Sequence, residues 1–315
     1  MKAAVVMSFG EPPRFADFPE PRPSGADEVV VEVLAAGLHP RVRSQADGSH
    51  YTSEGRLPLV PGVDGVGRDP EGRLRYFVLG DDTVGAMAER TVVDTRRSVV
   101  LPDDVDPVAI AAAMNPAMSS WIALRHRATF EAGQRVLVLG ATGNAGRMAV
   151  SVARLLGASE VVAVGRNIER SRESLATLGA SAVVDLDDRH GLGAAAAEVD
   201  VVLDYLWGAP TAAAMVTIVT DRSDCGRRLT WVQIGSVAGA TAAIPSAALR
   251  SSKLQIVGSG QGSVGVREIL GDLPEIAAAV TRGDLEVDAR AVPLADVAAA
   301  WAAGAGSGGR VVLVP

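Results

Sequence analysis

Apolar and polar positions alternate in two different rhythms along this chain. In the first third, short valine-rich runs at residues 2–7, 28–34, 75–79 and 91–93 predict β-strands. Pro12-Pro13, the stretch 21–25, Pro61-Gly62 and Asp81-Asp82 punctuate them as turns. From residue 136 the rhythm changes to strand and helix in turn. Strands are predicted at 136–139, 161–164, 182–184, 201–203, 229–234 and 254–257. A helix between the first two is apolar at Met148, Val152, Leu155 and Leu156 and is stopped by Gly157. Further helices are expected near 169–178 and 209–219, with a weak one at 191–198. The last fifty residues predict helices near 274–282 and 294–303, a loop at 304–309 and a closing strand at 310–314.

Six strands with interleaved helices give an α/β fold with a doubly wound parallel sheet. A β-rich part precedes it, and a mixed tail is expected to pack back on that part. The expected division is 1–115 with 260–315 for the β-rich domain and 116–259 for the parallel sheet.

The turn after the strand 136–139 carries the chemistry. It reads Gly140, Ala141, Thr142, Gly143, Asn144, Ala145, Gly146, and it leads from a strand into a helix. In that context a glycine turn is expected to bind a dinucleotide, the other reading being an α/β crossover that binds nothing. A glycine at 143 lets backbone approach a pyrophosphate, Gly146 lets helix and strand pack closely, and the helix start offers N–H groups. Past the second strand stand Gly165, Arg166 and Asn167, with Arg170 beyond. A site for NAD usually holds a carboxylate there, for the ribose 2′-hydroxyl. An arginine suits a 2′-phosphate and so predicts NADPH, unless Arg166 and Arg170 are simply solvated. Gly235, Ser236, Ser259, Gly260 and Gln261 follow later strands and are expected at the cofactor. Asn115, Pro116, Ser119 and Ser120 are expected at its ribose or phosphates, or as turn and cap residues.

Composition narrows the rest. A net charge of −7 with no basic run argues against nucleic acid. The single cysteine, Cys225, excludes a disulfide framework and a multi-cysteine zinc site. No apolar run reaches the length of a membrane span or of a signal peptide, so a cytoplasmic protein with no membrane partner is expected.

Several segments resemble the medium-chain dehydrogenase/reductase superfamily, and within it the zinc-free quinone oxidoreductase branch. AAGLHP (35–40) resembles A-x-G-[IL]-N-P-x-D, PGVDGVG (61–67) resembles P-G-x-[DE]-x-x-G, and GAMAER (85–90) resembles G-x-x-A-E. ATGNAG (141–146) is similar to A-x-x-G-x-x-G, with Ala141 one residue late and glycines 140, 143 and 146 at the branch's spacing. GGRVVLVP (308–315) resembles G-K-[IV]-V-L. The resemblance spans nearly the whole chain. It implies a GroES-like domain, a Rossmann domain, and homodimers paired through the last Rossmann strand, 254–257. The two-domain order itself leads to the expectation of an active site in the cleft between them, at the carboxyl ends of the parallel strands. Zinc-dependent relatives carry cysteine where His39 stands and histidine where Val63 stands; no cysteine lies near 114–115, so no metal is expected.

Without metal, the expected chemistry is hydride transfer from NADPH to a quinone or an α,β-unsaturated carbonyl compound, an electron-poor small molecule. Candidate donors to the substrate oxygen are Tyr51, His39 and Ser44. Tyr51 aligns with a pocket-lining tyrosine of the family; it or His39 can equally be a structural residue. His50 and His126 are expected at the surface, His190 in a polar loop, and Asp64 as a loop anchor through backbone N–H groups. Departures from the family are His39 for asparagine, Val42 for aspartate, a short 67–81 segment and Trp207 before a glycine. Two other readings stay open: an enoyl reductase dedicated to one acyl or natural-product pathway, and a non-catalytic NADPH-binding protein.

Overall fold

A computed structural model describes residues 1–81, 84–303 and 309–315. Asp82 of the expected 81–82 turn and residues 304–308 of the expected loop lie outside the described residues. In chain order the strands are β1 (Lys2–Val5), β2 (Arg14–Asp17), β3 (Glu28–Gly37), β4 (Asp64–Arg68), β5 (Leu74–Val78), β6 (Arg90–Asp94) and β7 (Ser98–Val100). Then follow β8 (Arg135–Leu139), β9 (Glu160–Gly165), β10 (Ala182–Asp185), β11 (Val201–Asp204), β12 (Leu229–Gln233), β13 (Leu254–Gly258), β14 (Ala289–Pro293) and β15 (Arg310–Val314).

The chain forms two compact units, Met1–Asn115 with Leu273–Pro315, and Pro116–Asp272. In the first unit, β14, β15, β3, β4, β5 and β7 follow one another across a sheet, and β6 joins it on β3. Among the described residues only β14 and β15 pair in parallel there. Its core gathers Val31, Val33, Phe77, Met87 and Val93 with Leu313. Strand β4 reads DGVGR, a poor strand by composition. Its glycines answer to crowding: a methyl group on Gly67 would sit 2.4 Å from the Glu32 carbonyl oxygen of β3.

The second unit holds a six-stranded parallel sheet in the order β10-β9-β8-β11-β12-β13. This is the 3-2-1-4-5-6 order of a doubly wound dinucleotide fold, with its reversal point between β8 and β11. The strands are short apolar runs because helices cover them. The helix Asn144–Leu155 buries Met148, Ala149, Val150, Val152 and Ala153. Leu137, Val162, Val202, Met215, Ile218 and Trp231 meet in one core.

The expected boundaries move in two places. The second unit runs to Asp272, past residue 259. The helix expected to open at Pro274 instead spans Val266–Thr281 and carries that proline inside. It begins early because the Gly265 N–H donates to Glu268 Oε2 at 2.9 Å, which satisfies a donor at the helix start. Likewise Asn115, Pro116, Ser119 and Ser120 lie within the helix Pro107–Ile122, not at a turn. Among the described residues one helical stretch, 107–128, is long and apolar enough to cross a membrane by length and composition. It is 67% buried and supplies Ile110, Met114 and Trp121 to the interior.

Candidate functional site

Because the six strands are parallel, the residues after each of them share one edge of the sheet. At the end of β8, Gly140 turns with φ +96°, and the N–H groups of Gly140 and Ala141 both donate to the Val164 carbonyl of β9. The helix that follows starts at Gly143 with no side-chain cap. Its first N–H groups therefore face outward with partial positive charge. Gly146 is required by the fold itself, since a methyl group there would stand 2.2 Å from the Gly140 oxygen. At Gly143 the nearest atom to such a methyl group is 3.6 Å away. The chain's own packing tolerates a side chain at 143, whereas a pyrophosphate lying on the helix start would not. Gly165 packs under the Thr142 side chain, whose Cγ2 would lie 2.6 Å from a methyl group at 165 and would have to shift.

Past β9, Arg166, Asn167 and Arg170 are exposed. Asn167 takes a left-handed conformation, φ 54°, which reverses the chain into the short helical turn Ile168–Arg170. Neither Arg166 nor Arg170 forms an ion pair or hydrogen bond among the described residues.

The other half of the edge follows β11 to β13. Gly235 passes the Tyr205 backbone so closely that a methyl group would meet its oxygen at 2.6 Å. Ser236 is exposed, and the Ser259 N–H donates to the Gln233 carbonyl at 2.8 Å, just before Gly260. Leu206 and Tyr205 border the glycine turn: a methyl group on Gly140 would stand 3.1 Å from Leu206 Cδ2. Burial pushes the Tyr205 phenol up to about 12, and its oxygen lies 3.2 Å from Ser119 Oγ. Ser119 thus reaches this edge from within its helix, while Ser120 is buried and donates to the Ala117 carbonyl.

Sequence reasoning missed the hub of this region, Asp204. Fully buried, it accepts hydrogen bonds from the Leu206 and Trp207 N–H groups at 2.8 and 3.0 Å, and from Thr211 Oγ1 and Trp231 Nε1 at 2.6 and 2.9 Å. These bonds hold Trp207 at φ 55° and ψ −166°. Glycine alone occupies that region freely; another residue there costs about 1–3 kcal/mol. A carboxylate seven residues before a threonine at a strand end was the available signal.

The donor candidates lie in the first unit. His39 follows β3 and stands just before the helix Pro40–Ala46, with no side-chain bond to that helix start. Its ring is buried; Nε2 lies 2.9 Å from Asp64 Oδ1, and Nδ1 has no hydrogen-bond partner among the described residues. Burial lowers the His39 pKa, Asp64 opposes that shift, and Arg310 and Arg41 add to it. Asp64 is not the expected backbone anchor: its second oxygen accepts from the Tyr76 hydroxyl at 2.9 Å. Two opposed strands bring these side chains together, which spacing alone did not indicate. Ser44 donates to the Arg41 carbonyl at 3.0 Å inside its helix. Tyr51 is 70% exposed and stacks beside His50, ring centres 4.2 Å apart.

The other histidines differ from expectation. His50 is half-buried and bonds Thr52, and His126 lies 2.7 Å from Asp272, whose carboxylate also meets Arg125. His190 is exposed, in the helix Arg189–Ala196. Val63, at the position of a zinc ligand in the metal-dependent relatives, is buried.

No family model matches the chain. A probable NADPH-dependent quinone reductase, tdiC of Emericella nidulans, is 32% identical over 359 aligned residues, covering 100% of both chains. The chain belongs to the quinone oxidoreductase-like medium-chain dehydrogenase/reductases. Among solved structures of such oxidoreductases, the quinone oxidoreductase of Thermus thermophilus, also determined with NADPH, superposes with a TM-score of 0.81. It is 27% identical, over 100% of both chains. An NADPH-dependent alkenal/one oxidoreductase of Arabidopsis thaliana is 28% identical over 176 residues, which is 50% of this chain and 45% of that protein.

Proposed function

We propose that this chain is an NADPH-dependent, zinc-independent reductase of quinones or α,β-unsaturated carbonyl compounds. The observation that carries the reading is the uncapped helix start beside Gly143, where the chain leaves room and open N–H groups that its own packing does not use. Those donors suit a pyrophosphate. Arg166 and Arg170 suit the 2′-phosphate, and Gly235, Ser236, Ser259 and Gly260 line the remaining half of the same edge. When bound, the nicotinamide supplies a hydride for an electron-poor carbon.

The chain's own contribution is binding, orientation and charge. Tyr51 is the exposed phenol assigned to orient the substrate or donate to its oxygen. His39 is committed to Asp64 through Nε2, and Ser44 to its helix, so both act by holding the segment that carries Tyr51. Zinc-independence is supported by the apolar Val63 and by the engagement of His39 with Asp64. A homodimer through β13 is supported by its place at the sheet edge.

The test is a screen of cofactor oxidation over quinones, enones and enals, with NADPH and NADH in parallel. NADPH is expected to bind roughly tenfold to hundredfold better, as a charge-assisted contact of ~1.5–3 kcal/mol provides, and Arg166→Ala to remove most of that preference. Equal affinity for the two cofactors, or no turnover of any such substrate, sinks the reading.

A further inference from the structure

Trp207 differs from the other tryptophans among the four in the chain. The Arg125 guanidinium lies 4.8 Å from the Trp121 ring centre, and that of Arg43 lies 5.0 Å from Trp301. Trp231 donates its indole N–H to Asp204. The Trp207 indole has no hydrogen bond, ring contact or cation contact among the described residues, although the residue is half-buried. Its backbone occupies a region that only glycine enters freely, and two of the bonds to Asp204, from Leu206 and Trp207, fix it there. A buried carboxylate with four donors is a built support, so the conformation is imposed on the tryptophan and not a loose loop.

The position of this support matters. In a sheet of this order, a dinucleotide lies across the reversal point, with its adenosine ribose past the second strand and its other half over the fourth and fifth. Trp207 follows β11, the fourth. On one side Leu206 borders Gly140 of the glycine turn. On the other, a methyl group at Gly208 would stand 2.8 Å from the Ala238 oxygen, three residues past Gly235. The residue that carries this unpartnered ring thus belongs to the loops of the reacting half.

We propose that Trp207 is a stacking wall for a planar, electron-poor ring, and that the substrates of this chain are ring quinones in preference to open-chain enals. The proposal rests on the reductase reading above and names its substrate class. Offset stacking of an indole on such a ring adds about twofold to tenfold in affinity beyond the area covered. An open-chain enal has no ring face to return the contact.

The test compares 1,4-naphthoquinone with trans-2-hexenal at saturating NADPH. In Trp207→Gly, which relaxes the backbone and removes the ring, the ratio of kcat/KM values should fall about fivefold or more. In Trp207→Phe, which keeps a ring, most of the ratio should remain, and both variants should bind NADPH within about twofold of the native protein. An unchanged ratio in Trp207→Gly, or an equal loss on both substrates, overturns the proposal. A second arm needs no turnover and no cofactor: naphthoquinone should quench the native tryptophan emission saturably, and Trp207→Phe should lose most of that quenching. Trp121 and Trp231, 1% and 0% exposed, contribute little to it, and the half-buried Trp301 is replaced by phenylalanine in both proteins compared, so that Trp207 is the accessible indole read. Retained quenching in Trp207→Phe overturns the stacking role. Native protein that turns over neither compound yet loses quenching in Trp207→Phe overturns the reductase reading and upholds the wall.

Discussion

Gly143 and Gly146 stand three residues apart and answer to different demands. Gly146→Ala drives a methyl group to 2.2 Å from a carbonyl oxygen, an overpacking that should cost ~1–3 kcal/mol or more in urea unfolding. Gly143→Ala meets only the Gly140 oxygen, at an ordinary contact of 3.6 Å, and at an ordinary φ of −82°. It should cost stability no more than the few tenths to ~1 kcal/mol of a poorer helix start, and weaken NADPH about tenfold by calorimetry, roughly 1.4 kcal/mol. His39 supplies a second residue-scale expectation. Its folded pKa is lowered below the ordinary 6.5, so the unfolded chain binds a proton more readily. Its contribution to stability is full above pH 6.5 and is lost as pH falls from there toward the lowered value. A denaturation series from pH 8 to pH 5 should show this decline, and His39→Asn should flatten it. The glycine turn was legible because each of its residues has a local reason. The pair His39–Asp64 was not, because 25 residues separate partners that meet only after two strands align.

At the scale of elements, β8, β9, β11, β12 and β13 were legible as apolar runs, since a parallel strand covered on both faces must be apolar throughout. Strands β2, β4, β7 and β14 were not. β4 hides behind glycines that its neighbour requires, and β7 is three residues long. The edge strand β13 allows a specific test. Lys253 O and Ser259 N–H bond β12, so odd-numbered residues turn their backbone groups inward and even-numbered ones outward. Arg127 Nε already covers the outward Gly258 oxygen at 2.6 Å. Ile256→Pro removes an outward N–H and spares the pairing with β12. If β13 pairs two protomers, this variant should sediment as a monomer with its helix and sheet content unchanged; a dimer of native stability would refute that pairing.

For the whole molecule, the decisive fact is that each unit has its own apolar core, with no residue in common. The glycine turn, Arg166 and the strand-end loops all belong to Pro116–Asp272. Heating in the calorimeter should therefore resolve two transitions, of which NADPH raises only one. At a hundred times its Kd the gain is ~2.7 kcal/mol. A single transition that moves as one block would show that the units melt together. The β-rich unit is also interrupted in sequence. Strand β15 pairs with β3, yet β3 ends at Gly37 and β15 begins at Arg310. On a ribosome, the early strands emerge first and wait while the entire parallel-sheet unit is made, and only then does the strand that joins their sheet to β14 appear. The segment that encodes cofactor binding can thus complete its fold while the earlier-born unit is still open, so that order of synthesis and order of folding run opposite to each other.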